Sequence, residues 1–582
     1  MQAVVRSALV VLILACAPSL TGSPHARVQD DATAAALSAK VDQLFSIVDP
    51  RIAPGCAVAV IKDGRIVHKK GYGLADLDHD VPITPSTVFQ VGSLSKQFTA
   101  TAILLLAQDG KLSLDDEVKK HIAEFPDFGE RVTIRHLLHH TSGVRDQLQL
   151  LALTGWRYTQ DLITDEDVLE LVARQKALNF RPGTQHLYSN TGYTLLAQIV
   201  KRVSGQSFRE FTTKRIFEPL GMTHTFFRDE FGEVVKGQAY AYVPRALLNR
   251  PPPGAEEPAP TADRRTEGFR LNPPNSNNVG PTNLLTTVED LFLWDQNFYE
   301  PKVGGPDLIR QLQQKGKLNN GEEIFYALGL GIETYRGLPT VEHPGTDAGY
   351  AADILRFPQQ KFSVALTCNR AGSAPANLAR RIADMYLADK LGPVEGKVVF
   401  TPVTLPEEQM TVYPGLYLDE QDKTVIRILR KPGAASALLI RREEFQPADK
   451  EIFHSVNAAR SLEFRGSNSG KPATVLLKDR GATINTLTRM AEVTLTPDQL
   501  KAYAGEFVSE EIDPVFRVSI ENGKLFLRRV KNAPAVLDPL RADLFQVGGG
   551  RVTIEFVRGP KREVTGFLFS TTRILNMTFR RK

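Results

Sequence analysis

The chain has 582 residues, of which 42% are hydrophobic and 24% charged, a composition typical of soluble globular proteins. This length exceeds that of one ordinary domain and indicates about three or four folded units. The formal net charge of +5 is small for the size, so the composition does not support a nucleic-acid-binding protein.

The N-terminal residues have the pattern of a secretory signal. Arg6 precedes an apolar stretch over 8–17 that is too short to span a bilayer as a helix. We therefore predict that 1–30 are a signal peptide and leader, and that the protein is exported to the periplasm or the cell exterior. Cys16 is either a lipidated N-terminus that anchors the protein or a residue removed with the signal.

Residues 31–395 are predicted to form one domain with strands at both ends. Its expected elements are an alanine-rich helix over 31–49, a β-hairpin with strands 56–61 and 65–68, a helix from Ser93, a helix over 133–145, a mainly helical region over 160–220, a long loop over 244–279, a helix over 287–298, strands over 351–357 and 361–366, and a helix over 376–391. We expect the first and last strands to pair, which gives an α/β (α+β sandwich) domain with an antiparallel sheet flanked by helices.

Two cysteines, Cys56 and Cys368, fall in short apolar runs that are typical of strands. Two cysteines do not make a disulfide framework, although export permits a bond. We expect two buried free thiols.

The remainder of the chain contains an internal repeat. Tyr413-Pro-Gly-Leu-Tyr resembles Tyr503-Ala-Gly-Glu-Phe, and the segment 462–464 similarly matches 554–556. Units of this length that consist of short alternating strands are typical of small antiparallel barrels. We predict two lipocalin-like all-β barrels, over 400–491 and 492–582, neither with a cluster of catalytic residue types.

A serine and a lysine stand three positions apart in the predicted helix that begins at Ser93. The spacing places Ser93 and Lys96 on one helical face, where the amine can reach the hydroxyl. The apolar run over 102–107 predicts a buried helix, and burial favours the neutral amine, which can accept the serine proton. This is the S-x-x-K pattern of acylated serines, which also occurs by chance in many helices.

A second motif is Tyr188-Ser189-Asn190. A tyrosine beside a lysine can have a lowered pKa and shuttle a proton, and Asn190 can hydrogen-bond a substrate carbonyl. Judged alone, the two residues are better explained as a core tyrosine and a helix-capping asparagine.

A third motif, His343-Pro344-Gly345-Thr346, precedes the predicted strand 351–357. The glycine allows a substrate to lie along an edge strand, and the following backbone N–H can face a developing oxyanion. In isolation the segment is an ordinary turn.

Together, and in this order, the three motifs resemble those of the serine β-lactamase and penicillin-binding-protein superfamily, specifically its class C-like branch. The resemblance covers about 35–390 and includes the spacer segments 71–73, 137–143, 188–193 and 219–222. It implies an enzyme without a cofactor. The implied roles are a nucleophile at Ser93, proton transfer by Lys96 and Tyr188, and substrate orientation by Asn190. His343 and Gly345 are implied to bind the substrate from the strand that carries the K-T-G motif in other members. The backbone N–H groups of Ser93 and Thr346 would form the oxyanion hole.

The resemblance also bears on the substrate. His343 stands where K-T-G members have a lysine, and histidine is mostly neutral at physiological pH. This favours amide, peptide (D-amino-acid) or ester substrates, including peptidoglycan-derived ones, over β-lactams and carboxypeptidase substrates. The alternatives are a carboxylesterase, a weak β-lactamase or DD-peptidase, and, in another class, a penicillin- or peptidoglycan-sensing protein with little turnover. A domain followed by two barrels resembles the D-aminopeptidases of this branch, in which a barrel loop reaches the active site.

The histidines at 136, 139 and 140 have a spacing that can seat a metal on a helix. No acidic partner follows in the H-E-x-x-H manner, and the resemblance treats the segment as structural. We predict no metal site.

Overall fold

The computed structural model describes residues 24–582 except 47, 49–50, 249–267, 394–399, 420–424, 441–442, 457–459, 469, 480, 492 and 549. The chain divides into two units. The first ends at Ser46 and contains the helix Pro24–Leu44, where we predicted a helix over 31–49; the second begins at Ile47 and is described below. Most of the predicted leader, including Cys16, lies outside the described residues. Within the described ranges, we find no helix with the length and apolar character needed to cross a bilayer.

An antiparallel sheet forms the centre of the first domain of the second unit and, among the described residues, has seven strands. Its spatial order is Gly331–Tyr335, Leu338–Glu342, Tyr350–Phe357, Phe362–Cys368, Cys56–Lys62 and Arg65–Tyr72, and Gly345–Asp347 pairs with Tyr350–Phe357. The first strand, Cys56–Lys62, pairs with Phe362–Cys368, so the predicted closure of the domain is confirmed.

Helices surround this sheet, as the predicted fold class requires. Val288–Gln296 and Pro375–Tyr386 pack on its central strands. The helix Lys96–Gln108 packs against Asn190–Ser204 and is buried over most of its length, in agreement with its apolar sequence. The other helices of this domain are Val118–His121, Ile134–Leu138, Gln147–Thr154, Asp165–Ala173, Phe208–Thr212, Glu218–Leu220, Arg245–Leu248 and Gly305–Leu312, with a π-helical turn over Thr213–Phe217 and 3-10 turns over Gly92–Ser95 and Pro358–Gln360.

Three small sheets complete the domain, and two predicted boundaries differ from the structure. The small sheets are Leu74–Asp76 with Val81–Pro82, Phe89–Gln90 with Leu284–Thr286 and Phe226–Phe227, and Tyr242–Pro244 with Phe269–Leu271. In the last of these sheets, the strand Phe269–Leu271 lies within the segment 244–279 that we predicted to be a long loop, and Tyr242–Pro244 ends at its first residue. The helix predicted over 133–145 ends at Leu138, because His140 has a positive φ of 57° that takes the chain out of the helical conformation.

Cys56 and Cys368 form a disulfide, so the prediction of free thiols is wrong. The two residues are register partners on the paired first and last strands. That register is a long-range property of the sheet, and neither local sequence indicates it. The bond joins positions 312 residues apart.

The two predicted barrels are confirmed as closed antiparallel barrels, with eight strands each in the described part of the chain. The first follows the helix Glu407–Met410 and has strands Gly415–Leu418, Val425–Arg430, Leu438–Ile440, Glu443–Pro447, Ile452–Ser455, Arg460–Arg465, Thr474–Asp479 and Ala482–Arg489. The second follows the helix Pro497–Tyr503 and has strands Gly505–Val508, Phe516–Glu521, Lys524–Arg528, Ala535–Arg541, Leu544–Val547, Thr553–Arg558, Val564–Ser570 and Met577–Arg581.

The repeated residues occupy equivalent places in the two barrel cores. The rings of Tyr413 and Phe464 lie 4.8 Å apart, and those of Tyr503 and Phe556 lie at the same distance. The repeat in the sequence therefore reflects a repeated aromatic core.

The second barrel also packs on the first domain. Arg145 of the first domain forms a buried ion pair with Glu511 of the barrel. Arg174 donates a 2.7 Å hydrogen bond to Asp513. A buried ion pair fixes geometry because either charge alone would be costly to bury.

Candidate active site

Ser93 lies on the 3-10 turn Gly92–Ser95 that leads into the helix Lys96–Gln108. Gly92 has a φ of +54°, and a Cβ there would lie 2.8 Å from the backbone nitrogen of Thr346. A Cβ on Gly345 would lie 1.8 Å from the carbonyl oxygen of Val91. Both glycines are therefore needed for the strand Gly345–Asp347 to lie directly against the Ser93 turn.

Lys96 is fully buried beside Ser93, and its Nζ lies 3.1 Å from Ser93 Oγ. Nζ also donates to Asn190 Oδ1 at 2.9 Å and to the Pro281 carbonyl at 2.8 Å. Burial lowers the pKa of Lys96 well below its ordinary value, which favours the neutral amine. A neutral amine has two N–H donors and one lone pair. Since the two carbonyl oxygens take the donors, the lone pair is left for the Ser93 hydroxyl.

Tyr188 completes the contacts of Ser93. Its ring lies 4.8 Å from Lys96 Nζ, and its hydroxyl hydrogen-bonds Ser93. Burial raises the pKa of Tyr188, and this outweighs the opposing effects of the Ser93 hydrogen bond and the Arg573 charge. The lowered pKa that we considered from the sequence is therefore wrong for the resting site. Tyr188 is therefore a protonated phenol in the resting site.

Asn190 begins the helix Asn190–Ser204 and joins Lys96 to a buried carboxylate. Its Oδ1 accepts from Lys96, and its Nδ2 donates to Asp146 Oδ2 at 2.9 Å. Asp146 also accepts the backbone N–H of Asn190 at 2.8 Å and caps the helix Gln147–Thr154. The amide therefore holds the amine in place, and only its remaining N–H is free to orient a substrate carbonyl.

His343 is buried and neutral. Its Nδ1 donates to the carbonyl of Pro344 at 2.7 Å, so its Nε2 accepts from the Tyr326 hydroxyl at 2.9 Å. Burial, with a contribution from Lys96, lowers the pKa of His343 to about 3. The position thus supplies no cation at neutral pH, as we predicted from its ordinary pKa.

These residues surround one cavity of about 330 Å³. Ser93, Tyr188, Asn190, His343 and Thr346 line it, Lys96 lies behind Ser93, and Gly345 packs against the Ser93 turn. The structure thus brings all seven of the predicted residues to one place.

Two charged residues that line the cavity were missed by the sequence reasoning. Arg573 comes from the loop between the last two strands of the second barrel, and its guanidinium lies 4.8 Å from the Tyr188 ring. Asp347 follows Thr346 and accepts from Tyr158, Thr282 and, at 2.8 Å, Gln90. Asp347 directly follows the motif His343-Pro344-Gly345-Thr346, and this position could have indicated that it belongs to the site. Nothing local distinguishes Arg573 among the many arginines of the barrels.

Arg573 brings a loop of the second barrel to this site, which the sequence alone left open. Asn179 Nδ2 donates to the Arg573 carbonyl at 3.0 Å, and Asn179 Oδ1 accepts from the Leu575 backbone at 2.7 Å. Gln149 Oε1 accepts from the Arg573 backbone at 3.1 Å. The loop is therefore held at Arg573 and Leu575 by side chains of the first domain.

A buried amine aimed at a serine hydroxyl, in a cavity within this fold, defines a serine hydrolase. The comparisons with known proteins agree. Residues 44–388 match the family model described as Beta-lactamase, and the chain belongs to that family.

Relatives match over different shares of the chain. A D-aminopeptidase of Gluconobacter oxydans (strain 621H) is 26% identical over 494 residues, which are 83% of this chain and 85% of that protein. Penicillin-binding protein 4* of Bacillus subtilis (strain 168) is 29% identical over 54% of this chain and 67% of its own length. For Protein flp of Staphylococcus aureus (strain N315), also 29% identical, the match covers 54% of this chain and 59% of that protein.

One solved structure extends the likeness of fold beyond the first domain. The octameric penicillin-binding protein homologue from Pyrococcus abyssi aligns with a TM-score of 0.50 and 22% identity, over 87% of this chain and 98% of that one.

Proposed function

We propose that the protein is an exported hydrolase that cleaves amide or peptide bonds of D-amino-acid substrates through an acyl-enzyme on Ser93. The observation that carries the proposal is the 3.1 Å approach of the buried Lys96 amine to Ser93 Oγ. The two carbonyl acceptors of Lys96 direct its lone pair to the hydroxyl, which is the arrangement that an acylation base requires.

Acylation begins when Ser93 Oγ attacks the substrate carbonyl carbon and its proton passes to Lys96. The backbone N–H groups of Ser93 and Thr346 receive the oxyanion of the tetrahedral intermediate. As the C–N bond breaks, Tyr188 gives its proton to the leaving nitrogen and regains one from Lys96. The products of this step are the released amine and an ester on Ser93.

Deacylation uses the same groups in reverse order. Water attacks the ester carbonyl carbon and gives its proton to the Lys96–Tyr188 pair. The bond between Ser93 Oγ and the acyl carbon breaks, the serine regains its proton, and a carboxylic acid leaves.

Two observations support amide substrates with a free amine. The D-aminopeptidase relative covers most of both chains. Asp347 is a buried carboxylate on the cavity wall whose hydrogen-bond donors are neutral, and no ion pair of the described residues includes it. Burial raises the pKa of Asp347, and a substrate ammonium would supply the counter-charge that favours the ionised form.

Export is supported by two independent features. The N-terminal sequence has the form of a signal, and the Cys56–Cys368 disulfide is of a kind that persists in oxidising compartments. The proposal leaves two fates for Cys16: it becomes the lipidated N-terminus, or it is removed with the signal peptide.

The test is a panel of D-alaninamide, L-alaninamide, a short acyl ester and a cephalosporin reporter. We expect the wild type to prefer D-alaninamide, Ser93→Ala to lose turnover, and Ser113→Ala, a matched change at an exposed serine, to retain it. Turnover that survives in Ser93→Ala contradicts the mechanism. A preference for the ester or the cephalosporin contradicts the substrate class, and a single product equivalent per protein identifies a sensor.

A further inference from the structure

Arg573 lines the cavity with a guanidinium whose hydrogen-bond donors are mostly without a protein acceptor among the described residues. Its Nη1 lies 3.4 Å from Asp146 Oδ2, and among the described residues this is the one hydrogen bond of the side chain. That distance exceeds the usual range for an N–H···O bond, and a guanidinium has five N–H donors in a rigid fork. The side chain is 35% exposed, so the remaining donors are accessible to a ligand.

Asp146 does not fully occupy this arginine. Its carboxylate already accepts from the backbone N–H groups of Leu148 and Gln149, at 3.1 and 3.3 Å, and from both N–H groups of Asn190. The carboxylate of Asp146 is therefore occupied by the helix cap and by Asn190, and its contact with Arg573 is the longest that it makes.

The charges of the cavity wall are few and opposite. Of the described residues that line it, Asp347 and Arg573 are the two with a formal charge, since His343 is neutral. A ligand that matches both carries an ammonium and a carboxylate. A short peptide with free termini has both groups, whereas an amino-acid amide or ester has only the first.

The loop that carries Arg573 is fixed before any ligand binds. Its backbone is hydrogen-bonded to Gln149 and Asn179, as described above. A fixed backbone limits the positions open to the guanidinium, which reduces the conformational freedom that the side chain loses on binding.

We propose that Arg573 binds the carboxylate of the substrate, so that the enzyme selects short zwitterionic peptides over the corresponding amides and esters. This inference rests on the proposed function and names its substrate class. In this proposal the positive charge that binds the carboxylate comes from the second barrel. The strand position where K-T-G members have a lysine holds the neutral His343 and does not supply it.

The experiment compares two substrates that differ only in the group at issue, D-alanyl-D-alanine and D-alanyl-D-alaninamide. For each, kcat/KM is measured on the wild type, Arg573→Gln and Arg573→Lys. Lys561→Gln is the matched control, because it removes a positive charge from an exposed turn at the other end of the strand Val564–Ser570, about 20 Å away.

We expect the wild type to favour the free acid and Arg573→Gln to lose about 10- to 100-fold in kcat/KM on the acid, the size of a charge-assisted hydrogen bond. The same variant should lose less than about 3-fold on the amide, Arg573→Lys should keep part of the preference, and Lys561→Gln should match the wild type.

Three outcomes are distinguishable. Equal losses on both substrates would show that Arg573 acts on Tyr188 and Lys96 only, and would overturn the inference. A wild type without preference for the acid would overturn it as well, even if Arg573→Gln fails to fold. Absence of Ser93-dependent cleavage of either compound would instead refute the proposed function.

Discussion

Replacement of Lys96 by methionine tests the proposed base while keeping an unbranched side chain of similar length. The change removes the amine 3.1 Å from Ser93 Oγ. General-base catalysis contributes about 10²- to 10⁴-fold, so we expect the acylation rate of Lys96→Met to fall by that factor. The active form of the base is deprotonated and is present above its pKa. Because burial lowers the pKa of Lys96, the wild-type rate should reach its plateau below the pH at which an ordinary lysine titrates.

The Lys96→Met change has two opposite effects on the stability of the fold, so a loss of rate is not explained by unfolding. Loss of the amine leaves the Asn190 and Pro281 acceptors without a donor, which costs about 1–3 kcal/mol each. In the other direction, Lys96 itself destabilises the fold at neutral pH. Its folded pKa is lowered, so protons favour the unfolded state, and stability is lost as pH falls from the unfolded value of about 10.4 toward the folded one. Methionine removes that penalty. We therefore expect a modest change in Tm against a large change in rate.

The assay follows acylation by a chromogenic ester in a stopped-flow instrument between pH 5 and 10, with Tm measured at each pH. The wild type should show a plateau, and Lys96→Met should show a rate proportional to hydroxide over the whole range. An acylation rate of Lys96→Met within about tenfold of the wild type, with an unchanged pH profile, would refute the assignment of the base.

Other predictions concern stability. The pKa of His343 is lowered to about 3, so its neutral form stabilises the fold above pH 6.5 and that contribution is lost on acidification; Tm should fall less steeply between pH 6.5 and 4 in His343→Gln. Replacing Cys56 and Cys368 by alanine should cost up to about 5 kcal/mol, since the bond closes a loop of 312 residues; an unchanged denaturant midpoint contradicts this. Arg145→Met should destabilise by about 3–5 kcal/mol, and adding Glu511→Leu should restore most of it; equal unfolding midpoints for the single and double variants argue against it.

The sequence predicted what local spacing and repetition encode. Ser93 and Lys96 lie one helical turn apart, so their approach follows from the helix itself. The apolar runs at both ends of the first domain predicted paired strands, and the repeat of Tyr413 at Tyr503 predicted the two barrels. The order of the three motifs then indicated that Tyr188 belongs to the same site.

What could not be predicted depends on long-range register and docking. Cys56 and Cys368 are bonded because two distant strands pair in one register. The pKa of Tyr188 depends on burial, which opposes the charge effect that its neighbour Lys96 suggested. Arg573 reaches the cavity only because the second barrel docks on Gln149 and Asn179.

This division has a physical consequence for how such an enzyme varies its specificity. Every contact among Ser93, Lys96 and Asn190 lies within the first domain, so the chemistry needs no residue of the barrels. The positive charge on the cavity wall, by contrast, is carried by Arg573 on a loop between two barrel strands. A change in that loop alters the electrostatics of the cavity without touching the buried amine or its carbonyl acceptors. In the proposed mechanism, selection for the substrate carboxylate is therefore separable from cleavage, and the buried Arg145–Glu511 pair is one of the contacts that hold the barrel on the first domain.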